Sequence, residues 1–242
     1  MEQPTSAQVD RWIHKGTKLF ADAIAELADA EFRAPSLLPG WTRAHVIAHV
    51  VGNAKALLNL LTWARTGVET PMYASDEARA TEIEERAQEP PEWLRAEFAA
   101  SARELDDGLA ALAPEHLDRP LHTRQGTSVT ARQVPWLRTG ELWLHLVDLD
   151  IGHTCADFPT DLVDALLARV TADRSAARSC PWLLLAPTDR EREWEVTSGT
   201  TASSPVRVTG TAAEVLAWLT GRSTGSGLHT DSGGVPALPA WL

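Results

Sequence analysis

The chain has 242 residues, 44% hydrophobic and 23% charged, which allows one large domain or two ordinary ones around a substantial core. Its 22 lysines and arginines face 33 acidic residues, a formal net charge of -11. That balance excludes nucleic acid and anionic membranes as main partners, since both need a basic surface, but a small anionic substrate needs only one local cation.

Residues 6–30 carry Val9, Trp12, Ile13, Leu19, Phe20, Ile24 and Leu27 at helical spacing and predict a first helix. "APSLLPGW" follows as a loop, with two prolines and a glycine. Thr42 can cap a second helix over 43–65 that stops near Gly67. "GVETPMYASDEARATEIEERAQEPPEW" reads as a long polar connection holding at most a helical turn. A third helix is expected over 92–112, between a proline pair and Pro114. "LDRPLHTRQGTSVT" is irregular with room for a short extended piece, and Thr130 can cap a fourth helix over 131–152. Four helices with long connections over about 150 residues predict a four-helix bundle.

After "GHTCADFPT" the texture changes. A helix over 161–177 precedes three β-like runs, "PWLLLAP", "EWEVTS" and "PVRVTG". A last helix, "TAAEVLAWLTG", starts at a threonine cap and stops at Gly221, and the tail is irregular. The expected fold is α+β overall, with a bundle at 1–157 and a small α+β domain at 158–242. Cys155 and Cys180 cannot build a disulfide framework or a four-cysteine zinc site and are expected to be reduced packing residues. "MEQPTSAQVD" lacks the order of a signal peptide, and no stretch is expected to span a membrane. A cytoplasmic monomer is the expectation.

On the fourth helix the positions that are not apolar are Arg138, Glu141, His145, Asp148 and Gly152, in steps of three, four, three and four, so they share one face. Such a stripe is often solvated. Here the apolar residues cover most of the circumference, and the stripe offers carboxylate and imidazole without a lysine. The second helix, "TRAHVIAHVVGNAKALLNLL", has His49 and Asn53 on or beside its apolar stripe, with His45 one turn before His49. Packed helices lie about 8–10 Å apart, so inward ligands from two helices can converge on one ion. Two histidines and a carboxylate form a set with open positions, suited to a catalytic zinc or another divalent first-row ion. Spacing alone leaves His45 and His49 in competition. It also leaves Asp148 as either an acceptor that fixes a histidine tautomer or a surface acid.

The stretches "GWTRAHVIAHVVGNA", "GVETPMY", "WLRTGELWLHLVDL" and "GGVPALPAWL" resemble the mycothiol-dependent maleylpyruvate isomerases, part of the wider DinB-like metalloprotein group. The likeness runs from the first helix to the last residue. It implies a DinB-like bundle, a C-terminal domain similar to sterol-carrier proteins, and one divalent metal, usually zinc. The implied ligands are His49, Glu141 and His145. A family arginine implicated in catalysis falls on Arg222 in "WLTGRSTG", whose alternative role is surface capping beside Gly221.

The implied reaction is cis–trans isomerisation of maleylpyruvate to fumarylpyruvate, a step of gentisate breakdown. A thiolate adds to the conjugated double bond, the adduct rotates, and the thiolate leaves. No suitably placed cysteine is evident, so the thiol is external, and in this family it is mycothiol. A metal lowers the thiol pKa enough to give thiolate at neutral pH. The substrate is a dianion and needs a cation: Arg222 first, Arg138 second. Asn53 is a candidate contact for substrate or thiol, or else a buried interhelical hydrogen bond. A mycothiol S-transferase and a non-catalytic metal- or ligand-binding protein are the alternative readings.

Overall fold

The computed structural model describes residues 4–177, 180–197, 204–231 and 233–241. Its contacts divide into two units, Thr5–Ile151 and the residues from Gly152 onward. The first unit holds α1 (Ser6–Glu26), α2 (Arg43–Thr66), α3 (Asp76–Ala87), α4 (Pro91–Ala110) and α5 (Val134–Asp148). It also holds an antiparallel hairpin of β1 (Pro120–His122) and β2 (Ser128–Thr130), paired from Pro120↔Thr130 to His122↔Ser128.

α1 begins where Thr5 and Gln8 cap each other: Gln8 N donates to Thr5 Oγ1 and Thr5 N donates to Gln8 Oε1. Val9, Trp12, Ile13, Gly16, Phe20, Ala23 and Ile24 form its buried stripe. It ends at Glu26, short of the expected residue 30, and the chain turns through a 3-10 segment at Asp29–Arg33. α2 starts after Thr42 and stops at Gly67, whose φ of 75° is the left-handed conformation that closes a helix. α1, α4, α2 and α5 pack in that order around a closed square, so α2 and α5 are neighbours.

α2 corrects one expectation. An 18-residue window of it reaches a mean hydropathy of 1.2, long and apolar enough to cross a membrane, but 83% of that window is buried inside the protein. Its apolarity is consumed by α5 on one side, α4 on another and α3 on a third.

α3 corrects another. The segment read as a polar connection is a three-turn helix packed on α2. Ser75 caps it by accepting from Ala78 N at 3.1 Å, and Asp76 and Glu77 occupy its positive end. Only Ile83 and Ala87 are buried, so the apolar periodicity that betrays a helix is nearly absent. The fourth predicted helix is also shorter than expected, with a 3-10 turn at Ala131–Gln133 before α5.

The second unit is mixed. α6 (Thr160–Ala177) packs against α7 (Ala212–Leu219) and against a four-stranded sheet. The strands are β3 (Leu183–Leu185), β4 (Trp194–Val196), β5 (Val206–Thr209) and β6 (His229–Thr230), in the order β4-β3-β5-β6. β3 and β5 run parallel, Leu183 opposite Val206, and both outer strands are antiparallel. The fold is therefore α+β, as expected. β6 lies in the tail read as irregular. Cys155 and Cys180 are buried thiols outside any disulfide.

Arginines from elsewhere in the same unit close several helix ends. Arg95 donates to the carbonyls of Ile24 in the last turn of α1 and of Leu27 just beyond it, and Arg119 to Ala64 in α2. Arg33 reaches Ala87, the last residue of α3, and Gln88 and Glu89 after it, and Arg43 reaches Leu149 and Asp150 after α5. Buried Arg174 donates to Leu219 at the end of α7 and to Pro239 in the tail. Each satisfies carbonyls that a helix leaves open and sits at its negative end.

A tight crossing of α1 and α5 supplies a stability test. A Cβ on Gly16 would lie 2.7 Å from Nε1 of Trp143, a buried indole that donates to Trp12 O at 2.9 Å. Alanine is the better helix former, yet Gly16→Ala is expected to destabilise by about 1–3 kcal/mol through overpacking. Urea denaturation followed by tryptophan fluorescence measures it, and an unchanged or higher midpoint contradicts it.

Candidate functional site

The start of α2 is fastened to the end of α5. Leu37 N donates to Asp148 O at 3.0 Å, and Arg43 donates through Nε and Nη2 to Leu149 O and Asp150 O at 2.8 Å each. These bonds fix the register between the helix that carries His49 and the helix that carries Glu141 and His145.

The structure separates His45 from His49. His45 Nδ1 meets both the backbone N–H (3.2 Å) and the hydroxyl (2.7 Å) of Thr42, and its Nε2 faces Glu84 of α3 at 3.2 Å. Both of its nitrogens are thus occupied at the helix start. One turn on, His49 points at α5. Its Nε2 donates to Glu141 Oε2 at 3.0 Å, and His145 Nε2 lies 3.2 Å from the same oxygen. The two rings stand edge to face, centroids 4.6 Å apart. The ligand atoms of His49, Glu141 and His145 all lie within 4.8 Å of one another. Ligands held about 2.0–2.2 Å from one tetrahedral ion stand roughly 3.3 Å apart, so the spacing fits a single small cation. The side chains of His49 and His145 are 8% and 14% exposed and that of Glu141 is 32% exposed, which leaves the cluster open on the glutamate side.

The electrostatics follow from these contacts. Burial works against the charged form of Glu141, but hydrogen bonds from His145 and His49 overcome it and hold the carboxyl well below the usual range. Burial lowers the pKa of His49 to about 4 despite Glu141, so His49 is neutral at physiological pH. Burial also opposes charge on His145, yet hydrogen bonds to Asp148 and Glu141 raise its pKa above the ordinary value. Asp148 is fully buried and accepts from His145 Nδ1 at 2.8 Å, so it is an acceptor that orients this ring rather than a surface acid.

The chain matches the family model of the mycothiol maleylpyruvate isomerase N-terminal domain over residues 13–150, and that of the MDMPI C-terminal domain over residues 157–240. It belongs to the mycothiol maleylpyruvate isomerase family. A solved mycothiol-dependent maleylpyruvate isomerase is 32% identical over 100% of both chains, with a TM-score of 0.92. A histidine-to-alanine mutant of a mycothiol-dependent maleylpyruvate isomerase gives the same figures. YfiT from Bacillus subtilis, a four-helix bundle of unusual topology, is 18% identical with a TM-score of 0.51, over 62% of this chain and 88% of that one; this likeness is one of fold. No curated protein matches.

In this member of the isomerase family, the remaining residues singled out from sequence lie as follows. Arg138 is fully buried, and its Nη1 donates to Val50 O at 2.7 Å and to Asn53 Oδ1 at 2.9 Å. Arg138 and Asn53 thus meet each other between α5 and α2, and Nη2 of Arg138 has no hydrogen-bond partner. Burial lowers the Arg138 pKa to about 10, and the guanidinium stays charged. Arg222 belongs to the second unit and follows Gly221, where its Nη1 donates to Thr220 O at 2.7 Å.

Two neighbours of the triad went unpredicted. Arg79 of α3 donates from Nη2 to His49 Nδ1 at 3.2 Å. Tyr73, the single tyrosine of the chain, carries that guanidinium over its ring at 5.7 Å. Tyr73 also borders a surface cleft of about 310 Å³ lined by Trp63, Met72, His122, Thr123 and Arg124. The serine cap and acidic first turn of α3 were the available signal for that helix, and with it for Arg79.

Removing the Arg138 side chain should be felt in stability before it is felt in chemistry. Arg138→Met leaves two buried oxygens, Val50 O and Asn53 Oδ1, without this donor, at an expected cost of about 1–3 kcal/mol. Denaturant titration of the variant measures it, and wild-type stability would contradict the buried pairing.

Proposed function

We propose that this protein is a metal- and mycothiol-dependent isomerase that converts maleylpyruvate to fumarylpyruvate by thiolate addition, bond rotation and elimination. The observation that carries the proposal is the convergence of His49 Nε2 and His145 Nε2 on Glu141 Oε2, at 3.0 and 3.2 Å, in a chain of this family. His49, Glu141 and His145 are the proposed ligands. A bound divalent ion would supply a lowered thiol pKa, so that the external thiol reacts as thiolate at neutral pH. Zinc as the ion, a role in gentisate breakdown, a cytoplasmic monomer and a domain boundary at 157/158 belong to the same proposal.

The chain's own residues have separable tasks in this scheme. Asp148 keeps a proton on His145 Nδ1 and so leaves Nε2 to face the ion. α2 and α5, tied at Arg43, hold the two imidazoles at fixed spacing before any ligand arrives. Arg222 is proposed as the catalytic cation that stabilises negative charge developing on the substrate oxygen. Arg138 and Asn53 are proposed to meet the substrate from the bundle side, a role supported by the partnerless Nη2 of Arg138.

The test is turnover. Zinc-loaded protein, mycothiol and maleylpyruvate are expected to yield fumarylpyruvate, and His49→Ala is expected to lose bound metal together with activity. Absence of turnover in fully loaded protein refutes the isomerase, and a stable thiol conjugate in its place identifies a mycothiol S-transferase.

The metal's pH dependence has a definite sign. His145 holds its extra proton above the ordinary histidine pKa of 6.5, and that proton must leave before Nε2 can bind a cation. His49 is already neutral. Zinc affinity therefore rises with pH through the histidine range and levels off once His145 is neutral. Calorimetry in buffers of different ionisation enthalpy should record about one proton released per zinc near neutrality. Asp148→Asn should weaken zinc binding about 10–100-fold and reduce that release. Zinc affinity that is flat or falls with rising pH would contradict the assignment.

A further inference from the structure

α3 places a cation beside the triad that has no carboxylate of its own. Arg79 is half-buried, its Nη2 donates to His49 Nδ1, and its guanidinium carbon lies 5.7 Å from the centre of the Tyr73 ring. No ion pair joins it to an acid among the described residues. Arg86 on the same helix pairs with Glu82, and Arg124 pairs with Asp76 at the helix start. Arg33, Arg43, Arg95, Arg119 and Arg138 are committed to backbone carbonyls. In a protein of net charge -11, Arg79 is a positive group next to the chemistry whose present partner is the Nδ1 of His49.

That partnership is incompatible with ligation of His49 through Nε2. A guanidinium has donors only. A neutral histidine that gives its Nε2 lone pair to a cation carries its hydrogen on Nδ1, which then also donates. Two donors cannot satisfy each other, and the cation adds repulsion. His145 shows the opposite arrangement, with the acceptor Asp148 on Nδ1. Metal loading must therefore turn Arg79 away from His49 and leave a planar, two-pronged donor at the mouth of the site, backed by Tyr73. The group that such a fork fits best is a carboxylate, bound through two parallel N–H···O contacts.

We propose that Arg79 is the substrate-binding residue for a carboxylate of the dianionic substrate, and that it becomes available when His49 engages the metal. The proposal rests on reading His49, Glu141 and His145 as the metal centre. It needs no movement of the second unit, because Arg79 and the triad share one unit.

The experiment uses the full chain as wild type, Arg79→Gln and Arg79→Lys, each loaded with zinc. Zinc content is measured first, and maleate, a cis-dicarboxylate without the ketone, is then titrated by calorimetry. Zinc stoichiometry is expected to be unchanged in all three. Maleate should bind about 10–100-fold more weakly to Arg79→Gln, the loss of charge-assisted hydrogen bonds, with Arg79→Lys intermediate. The KM for maleylpyruvate should rise in parallel while kcat changes less. Maleate affinity in Arg79→Gln within about twofold of wild type overturns the proposal. So does loss of zinc from that variant, which would make Arg79 a support for His49. Equal maleate affinity of wild type with and without zinc overturns the coupling to the metal. If wild type binds maleate through Arg79 but does not isomerise maleylpyruvate, the isomerase reading fails while Arg79 stands as a carboxylate site.

Discussion

A single carboxylate shared by two imidazoles governs the architecture around it. Glu141 is placed where burial penalises its charge, and it stays ionised because His49 and His145 both turn their Nε2 atoms to it. Such an arrangement survives only if α2 and α5 keep their register. A slide of one helix by a single residue would rotate the histidine out of reach. The clamp from Leu37 and Arg43 onto the last carbonyls of α5 holds that register from the backbone side. The Arg138–Asn53 bond holds it again on the opposite side of the triad along the same pair of helices.

The charge inventory gains meaning at this level. An excess of acid over base suggests a surface in need of cations, yet many arginines here face inward to main-chain oxygens. Arginine suits that task because its flat donor fork can satisfy two carbonyls at once and never loses its charge in the working pH range. The consequence at the site is scarcity: a positive group near Glu141 that is not already tied to the backbone is unusual, which is why the setting of Arg79 matters.

What was legible in the sequence was what depends on period. The bundle helices showed their apolar stripes, and the polar stripe of Arg138, Glu141, His145 and Asp148 stood out by its steps. What depends on contacts between distant residues was not legible. His45 and His49 lie one turn apart; spacing leaves them in competition, the family resemblance points to His49, and the cap at Thr42 and the acid at Glu84 give the physical reason that His45 is engaged elsewhere. Glu84 sits on α3, whose polarity hid it, and Arg79 was hidden with it. Arg138 and Asn53 each stand out in the sequence by residue type and position, but their mutual bond depends on the packing of α5 against α2, which no local pattern records. The two residues of β6 are too few to carry a period at all.

The arginine ties at the helix ends have one more consequence. Their donors are guanidiniums and their acceptors are peptide carbonyls, and neither changes protonation between neutral and mildly acidic solution. Of the two imidazoles of the triad, His145 takes up its proton there, because hydrogen bonds to Asp148 and Glu141 raise its pKa against burial, while His49, with a pKa lowered to about 4 by burial, stays neutral. Mild acid therefore acts on the two parts of the molecule differently: it adds a proton to His145 while the frame that spaces the triad stays fastened. On the proposed metal reading, an ion could leave and return without loosening those ties.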